Sequence, residues 1–129
     1  MHNPVLTLDE LQNIETGAWF SKLSSTLRNA ILSRATVRRL RDGDSLASRG
    51  TVAQEWCGVA LGAVRISSVS LSGKQITLTY AEPGTWFGDI ALFDGLPRTH
   101  DADAHGVTTL LVVRKPDFQD LLRQHVELY

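Results

Sequence analysis

The sequence predicts a mainly β domain of the α+β class, an antiparallel β-roll with helices at both ends. Three observations predict it. Helical spacing of apolar residues stops near Thr36 and returns only at the chain's end, from Pro116. Between these points, β-rich runs are punctuated by glycines at 43, 50, 58, 62, 73, 84, 88, 95 and 106. Many short strands with frequent turns indicate a sandwich, a barrel or a jelly roll. The chain has 129 residues, 43% of them hydrophobic, so one domain with a real core is the default.

The helices are read from their caps. Thr7-Leu-Asp-Glu10 is a capping box, with Leu6 and Leu11 at the staple positions, and the helix it starts fades before Gly17. Trp19, Phe20 and Leu23 form an apolar cluster that docks this region on the body. Ser24 or Ser25 caps a second helix, whose Leu27, Ala30 and Ile31 share one face. Pro116 fits the first position of a closing helix, Asp117 suits its positive end, and Phe118, Leu121 and Leu122 form its inward stripe.

The strands are read from alternation. Ile76, Leu78 and Tyr80 alternate with Gln75, Thr77 and Thr79, so one face is apolar and the other polar. Val64 and Ile66 keep the same period, whereas Val69 and Leu71 are out of phase, which places a bulge near Ser67-Ser68. Ser72-Gly73 reads as a hairpin turn. The apolar run Val107 to Val113 suits a strand buried on both faces. The expected organisation is N-terminal helices over 1–35, the β-roll over 36–114 and a C-terminal helix over 115–125.

Composition excludes several functions. A formal net charge of -1 does not suit a free-standing nucleic-acid binder. The single Cys57 excludes an internal disulfide and a cysteine-ligated iron–sulfur cluster, and reads as a buried inert thiol. There is no apolar run of membrane-spanning length and no secretory signal, so a soluble cytoplasmic protein is the simplest expectation. No serine, cysteine or lysine has a recognisable nucleophile setting, so no enzyme is expected. His100, Asp101, Asp103 and His105 resemble a metal cluster, but strand alternation sets His100 on the face opposite the two aspartates. A cupin-type metalloenzyme also lacks its His-x-His pair. The basic run Arg34, Arg38, Arg39 and Arg41 reads as a solvated edge or as a contact with another domain.

The most informative stretch is the cassette at 84–99, from Gly84 through Gly88-Asp89-Ile90-Ala91 and an Asp-Gly-Leu-Pro bend to Arg98-Thr99. A carboxylate, backbone N–H groups, a guanidinium and a hydroxyl together suit a sugar hydroxyl beside a phosphate. Trp86 and Phe87 read as core rather than as ligand-stacking groups. Arg98 has a plainer alternative, pairing with Asp94 or Asp101. Asp89 has one too, as a helix cap, and Thr99 as an ordinary strand residue.

This order of elements resembles the cyclic-nucleotide-binding domain of bacterial Crp/Fnr-type transcription regulators. The marks are Gly43-Asp44, Gly50, Gly62, Gly73 and Pro83-Gly84, then Gly88-Asp89-Ile90-Ala91-Leu92 and Pro97-Arg98-Thr99. The resemblance runs from about Trp19 to Tyr129. It implies a double-stranded β-helix or jelly roll with a short cassette helix after Phe87-Gly88. It further implies that Arg98, Thr99, Ile90 and Ala91 bind a cyclic phosphate and that Gly88 and Asp89 bind the ribose. The implied effector is a cyclic nucleotide such as cyclic AMP, or another small anion, with no cofactor required. The alternative is a degenerate roll kept for protein–protein contact. The family's usual glutamate is Asp89 here, and His100 stands where a small residue is usual. Full-length members are usually homodimers and bind DNA through a helix-turn-helix domain, joined by a long helix, that these residues do not contain.

Overall fold

The computed structural model describes residues 5–88 and 95–126. Helix α1 is Leu8–Glu15 and α2 is Ser25–Arg34, with a 3₁₀ turn at Phe20–Lys22 between them. The strands are β1 Thr36–Leu40, β2 Ser45–Ala47, β3 Glu55–Val69, β4 Gln75–Ala81, β5 Trp86–Phe87 and β6 Asp101–Arg114, and α3 is Lys115–Gln124. The caps are those the sequence specifies. The Thr7 hydroxyl accepts from the Glu10 N–H at 3.1 Å, while Glu10 Oε1 accepts from the Thr7 N–H at 2.8 Å. Of the two candidate serines, Ser24 caps α2, accepting from the Leu27 N–H. Pro116 is the second residue of α3 rather than its first, a place where the missing N–H is equally harmless.

Every ladder is antiparallel, and the strand order is β1-β6-β3-β4, with β2 against β6 and β5 against β3. The long strands β3 and β6 separate two cores. On one face Trp56, Ala60, Leu111 and Val113 pack with Ile14, Phe20, Leu27, Ile31, Phe118 and Leu121 from the helical elements. On the other, Cys57, Val59, Val64, Ala81, Ala102, Leu110 and Val112 line the interior of the roll. This is the jelly-roll fold that the sequence implied. Truncating a fully buried ring such as Phe20 to alanine would cost about 3–5 kcal/mol.

The structure refines three expectations. The irregularity expected near Ser67-Ser68 falls between Ile66 and Ser67, but the extra residue is on β4: Ile66 pairs with Thr79 and Ser67 with Thr77, which leaves Leu78 between them. Both faces of β4 are exposed, with Ile76, Leu78 and Tyr80 all open to solvent. Among the described residues the strand pairs only with β3, and of its residues only Ala81 at its end enters a core, so its alternation marks a strand without marking burial. In β6, Thr108 to Val113 are buried on both faces as expected, but Val107 is exposed, because Gly106 takes φ 75° and turns the chain just before it.

The basic run is a partly solvated edge, with Arg39 and Arg41 exposed, and three of its arginines also hold carboxylates within the domain. Arg34 meets Asp120 at 2.6 Å and Asp117 at 3.6 Å, tying α2 to α3. Arg38 holds Glu55, and Arg39 holds Glu10 at 2.9 Å. The Arg41 N–H donates to Asp44.

Glu10 is buried. Burial alone would raise its carboxyl, but hydrogen bonds from Thr109 and Thr7 and the charge of Arg39 outweigh that and hold it below the usual carboxylate range. Its contribution to stability is therefore complete above the unfolded-state value and is lost as acid titrates the folded carboxylate. Urea denaturation at descending pH should show a shallower acid loss for Glu10→Gln than for the parent.

A Cβ at Gly58 would stand 2.6 Å from the Trp86 ring, which Trp56 and Phe20 hold in place. Gly58→Ala should cost about 1–3 kcal/mol through overpacking, measured by denaturant unfolding followed by tryptophan fluorescence.

Candidate functional site

The cassette is anchored along β3 at its start. The Gly84 N–H donates to the Val59 carbonyl at 2.8 Å, and the Val59 N–H donates to Thr85 at 2.9 Å. Trp86 then pairs with Gly58 and Phe87 with Cys57. Being consecutive in a strand, the two rings go to opposite faces. Trp86 packs on the helical core, 4.5 Å from Trp56 between ring centroids, and Phe87 packs on the roll interior. Both are core residues, as expected. Gly88 turns the chain at φ 97°, and its Cα lies so close to β3 that a Cβ would stand 2.9 Å from the Glu55 carbonyl. Asp89, Ile90 and Ala91, together with the cassette helix expected there, lie outside the described residues.

The chain returns through Gly95, and Pro97 bridges to Val52. The backbone of Arg98 is fixed from both sides: its N–H donates to Thr51 at 2.7 Å and its carbonyl accepts from Gly50 at 2.8 Å. The side chain turns inward. Its Nε is buried and has no hydrogen-bond partner among the described residues. Its charge is felt at Glu55 and at Cys57, which is only 4% exposed on the interior face. Among the described residues Arg98 forms no ion pair. Asp101, one of its two suggested partners, instead accepts from the Arg49 N–H at 2.7 Å. Asp94, the other, is outside the described residues. Arg98 as a whole is half-buried, but a buried N–H without an acceptor is costly and calls for an explanation.

Thr99 is exposed, and its hydroxyl lies 2.9 Å from His100 Nδ1. Gly88 and Arg98 thus both border Glu55, one through its backbone and one through its charge, while Thr99 looks toward His100. The four residues that resembled a metal cluster have separate partners. His100 precedes β6 and meets Thr99, Asp101 takes the Arg49 N–H, Asp103 pairs with Arg65 at 3.1 Å, and the His105 ring lies tilted against Tyr80. Among the described residues no three metal-binding side chains are grouped.

Sequence reasoning missed Glu55 and Arg38 as neighbours of this site. Their guanidinium and carboxylate meet through two hydrogen bonds, of 2.9 and 2.6 Å. The signal was present: Glu55 is in phase with Cys57 and Val59, and Arg38 with Leu40, so both charges fall on the inward face. Hydrogen bonding from Arg38 holds the Glu55 carboxyl below its usual range.

Comparison with known proteins gives a consistent picture. The family model described as cyclic nucleotide-binding domain matches residues 37–125. A cyclic AMP receptor protein of Thermus thermophilus is 33% identical over 82 residues, which cover 64% of this chain and 38% of that protein. The chain therefore spans about two fifths of that relative. The crystal structure of the Thermus thermophilus catabolite activator protein superposes with a TM-score of 0.74 at 30% identity, covering 81% of this chain and 49% of that one. The N-terminal domain of a transcriptional regulator from Streptomyces coelicolor gives 0.77 at 24% identity, covering 89% and 80%.

Cys57 is buried and its thiol is pushed up to about 12, by burial first and the Glu55 charge second. The thiolate is the reactive form. The folded chain should resist a thiol reagent at pH 8 that labels it stoichiometrically in denaturant, as mass spectrometry would record.

Proposed function

Because the chain belongs to the cyclic nucleotide-binding domain family, we propose that it is the effector-sensing part of a Crp/Fnr-like transcription regulator. Its effector in this reading is a cyclic nucleotide of the cyclic AMP type. The signal passes to a helix-turn-helix domain outside this sequence, and the full-length protein acts as a homodimer. It is a binding module of the cytoplasm and not an enzyme. The receptor and activator relatives support that reading.

One observation carries the choice of site: the inward side chain of Arg98, buried at Nε and lacking an acceptor among the described residues. In the proposed complex its guanidinium takes two phosphate oxygens through parallel N–H bonds, which a lysine could not reproduce. Thr99 adds a hydroxyl and a backbone N–H. Ile90 and Ala91 offer backbone N–H groups to the phosphate, Gly88 turns the chain toward the ribose, and Asp89 accepts from the 2′-hydroxyl. Burial strengthens each contact by removing competing water.

The test is calorimetry with cyclic AMP, cyclic GMP and cyclic dinucleotides. The parent should bind cyclic AMP. Arg98→Leu should lose a factor of ten or more, about the 1.5–3 kcal/mol of one charge-assisted hydrogen bond, with an unchanged melting temperature. Equal affinity in the variant would place the anion elsewhere. Silence of the parent toward every nucleotide would favour the contact-module alternative.

A further inference from the structure

Strand alternation puts an ion pair on the interior face of the roll. Arg38 in β1 and Glu55 in β3 flank β6 on either side, and their forked contact passes over that middle strand. Neighbouring strands are about 4.8 Å apart, so only two long side chains on the same face can close such a span. The residues of β6 on that face near the pair are Leu110 and Val112, both fully buried, and Arg114, which is exposed and in register with Glu55. The pair therefore sits at the rim of a dry apolar surface, with the Glu55 side chain 25% exposed and that of Arg38 40% exposed.

Glu55 also stands beside both described edges of the candidate anion site. Its carbonyl packs against Gly88, and its carboxylate lies within electrostatic reach of Arg98. It is the one described carboxylate on the inward face of β3, and it feels the charges of both Arg98 and Arg114. Yet it gives both oxygens to Arg38.

We propose that Arg38 is a positioning residue that holds Glu55 away from Arg98, so that the guanidinium, whose buried Nε has no partner among the described residues, stays open to an external anion. Without the fork, Glu55 turns to Arg98 and occupies the site from within. The inference rests on the reading of Arg98 as the anion's partner, and it adds two residues to that reading that touch no part of the ligand. Its chemistry is competition between two carriers of negative charge for one guanidinium, with a second guanidinium deciding the outcome. Arginine is needed for this, because its planar fork engages both carboxylate oxygens while a lysine engages one.

The test uses the parent, Arg38→Met, Glu55→Gln and the double variant, titrated with cyclic AMP. Arg38→Met should weaken binding about tenfold, the worth of roughly 1.4 kcal/mol. Glu55→Gln should change the parent's affinity only about twofold, yet restore the Arg38→Met background nearly to the parent's level, a strongly non-additive cycle. Equal effects of Glu55→Gln in both backgrounds would mean simple long-range electrostatics and would overturn the proposal.

A second readout needs no ligand. The NMR signal of the Arg98 Nε–H, assigned by its loss in Arg98→Lys, should move downfield and exchange more slowly in Arg38→Met, and should return in the double variant. A signal unmoved in Arg38→Met overturns the proposal, whatever the nucleotides do. A parent that takes no cyclic AMP overturns the function proposed above, and the NMR comparison then decides the competition alone. Should Arg38→Met fail to fold, Arg38→Lys keeps the charge without the fork and should move the same signal in the same direction.

Discussion

The Trp86 ring rests on the bare Cα of Gly58, and the placement of the candidate site depends on that contact. Any other residue at 58 would push the ring away from β3. Because β5 is only two residues long, it has few hydrogen bonds to hold it there. Packing does the holding. Trp86 is wedged among Trp19, Phe20 and Trp56, and Trp56 in turn meets Phe118 of α3 at 5.1 Å. One aromatic cluster thus gathers the 3₁₀ turn, β3, the opening of the cassette and the closing helix. Its neighbour Phe87 faces the roll interior, so two adjacent side chains pin the start of the cassette to both cores at once.

That anchoring explains how an arginine is held inside a small domain. A charged group in an apolar interior is tolerated only when other interactions over-determine its position. Here the backbone of Arg98 is bonded on both sides to the 50–51 segment, and Pro97 is bridged to Val52, so the side chain has little freedom to swing outward. In the proposed site this fixed backbone would leave less ordering to oppose anion binding.

The parts of this architecture that were legible in the sequence are those with local causes. Thr7 and Glu10 cap each other across three residues, Ser24 reaches Leu27 across three, and the stripe of α3 repeats within two turns. The cassette was legible through its glycines and its Pro97-Arg98-Thr99 ending. What stayed hidden depends on distant chain. Arg34, Arg38 and Arg39 look alike in a basic run, and only the fold brings Asp120, Glu55 and Glu10 to them. Alternation announced β4 as a strand, but its exposure follows from its place at the edge of the sheet, which alternation does not encode. The bulge was sensed through a phase change in β3 and assigned to the wrong strand, since a phase change between partners does not say which of them holds the extra residue.

The contact between Thr99 and His100 shapes the proposed site further. A hydroxyl that donates its one proton to a phosphate has only lone pairs left for the imidazole. With Nδ1 at 2.9 Å from that oxygen, the ring must then present Nδ1–H, which selects the Nδ1-protonated tautomer or the imidazolium. If the ring instead presents a bare Nδ1, it takes the hydroxyl proton, and Thr99 turns lone pairs toward the anion, which repels it. Arg98 carries no such ambiguity, because all its hydrogen-bonding atoms are donors. The guanidinium is therefore the constant element of the proposed anion site. The threonine is a conditional one, set by the tautomer of its neighbour His100.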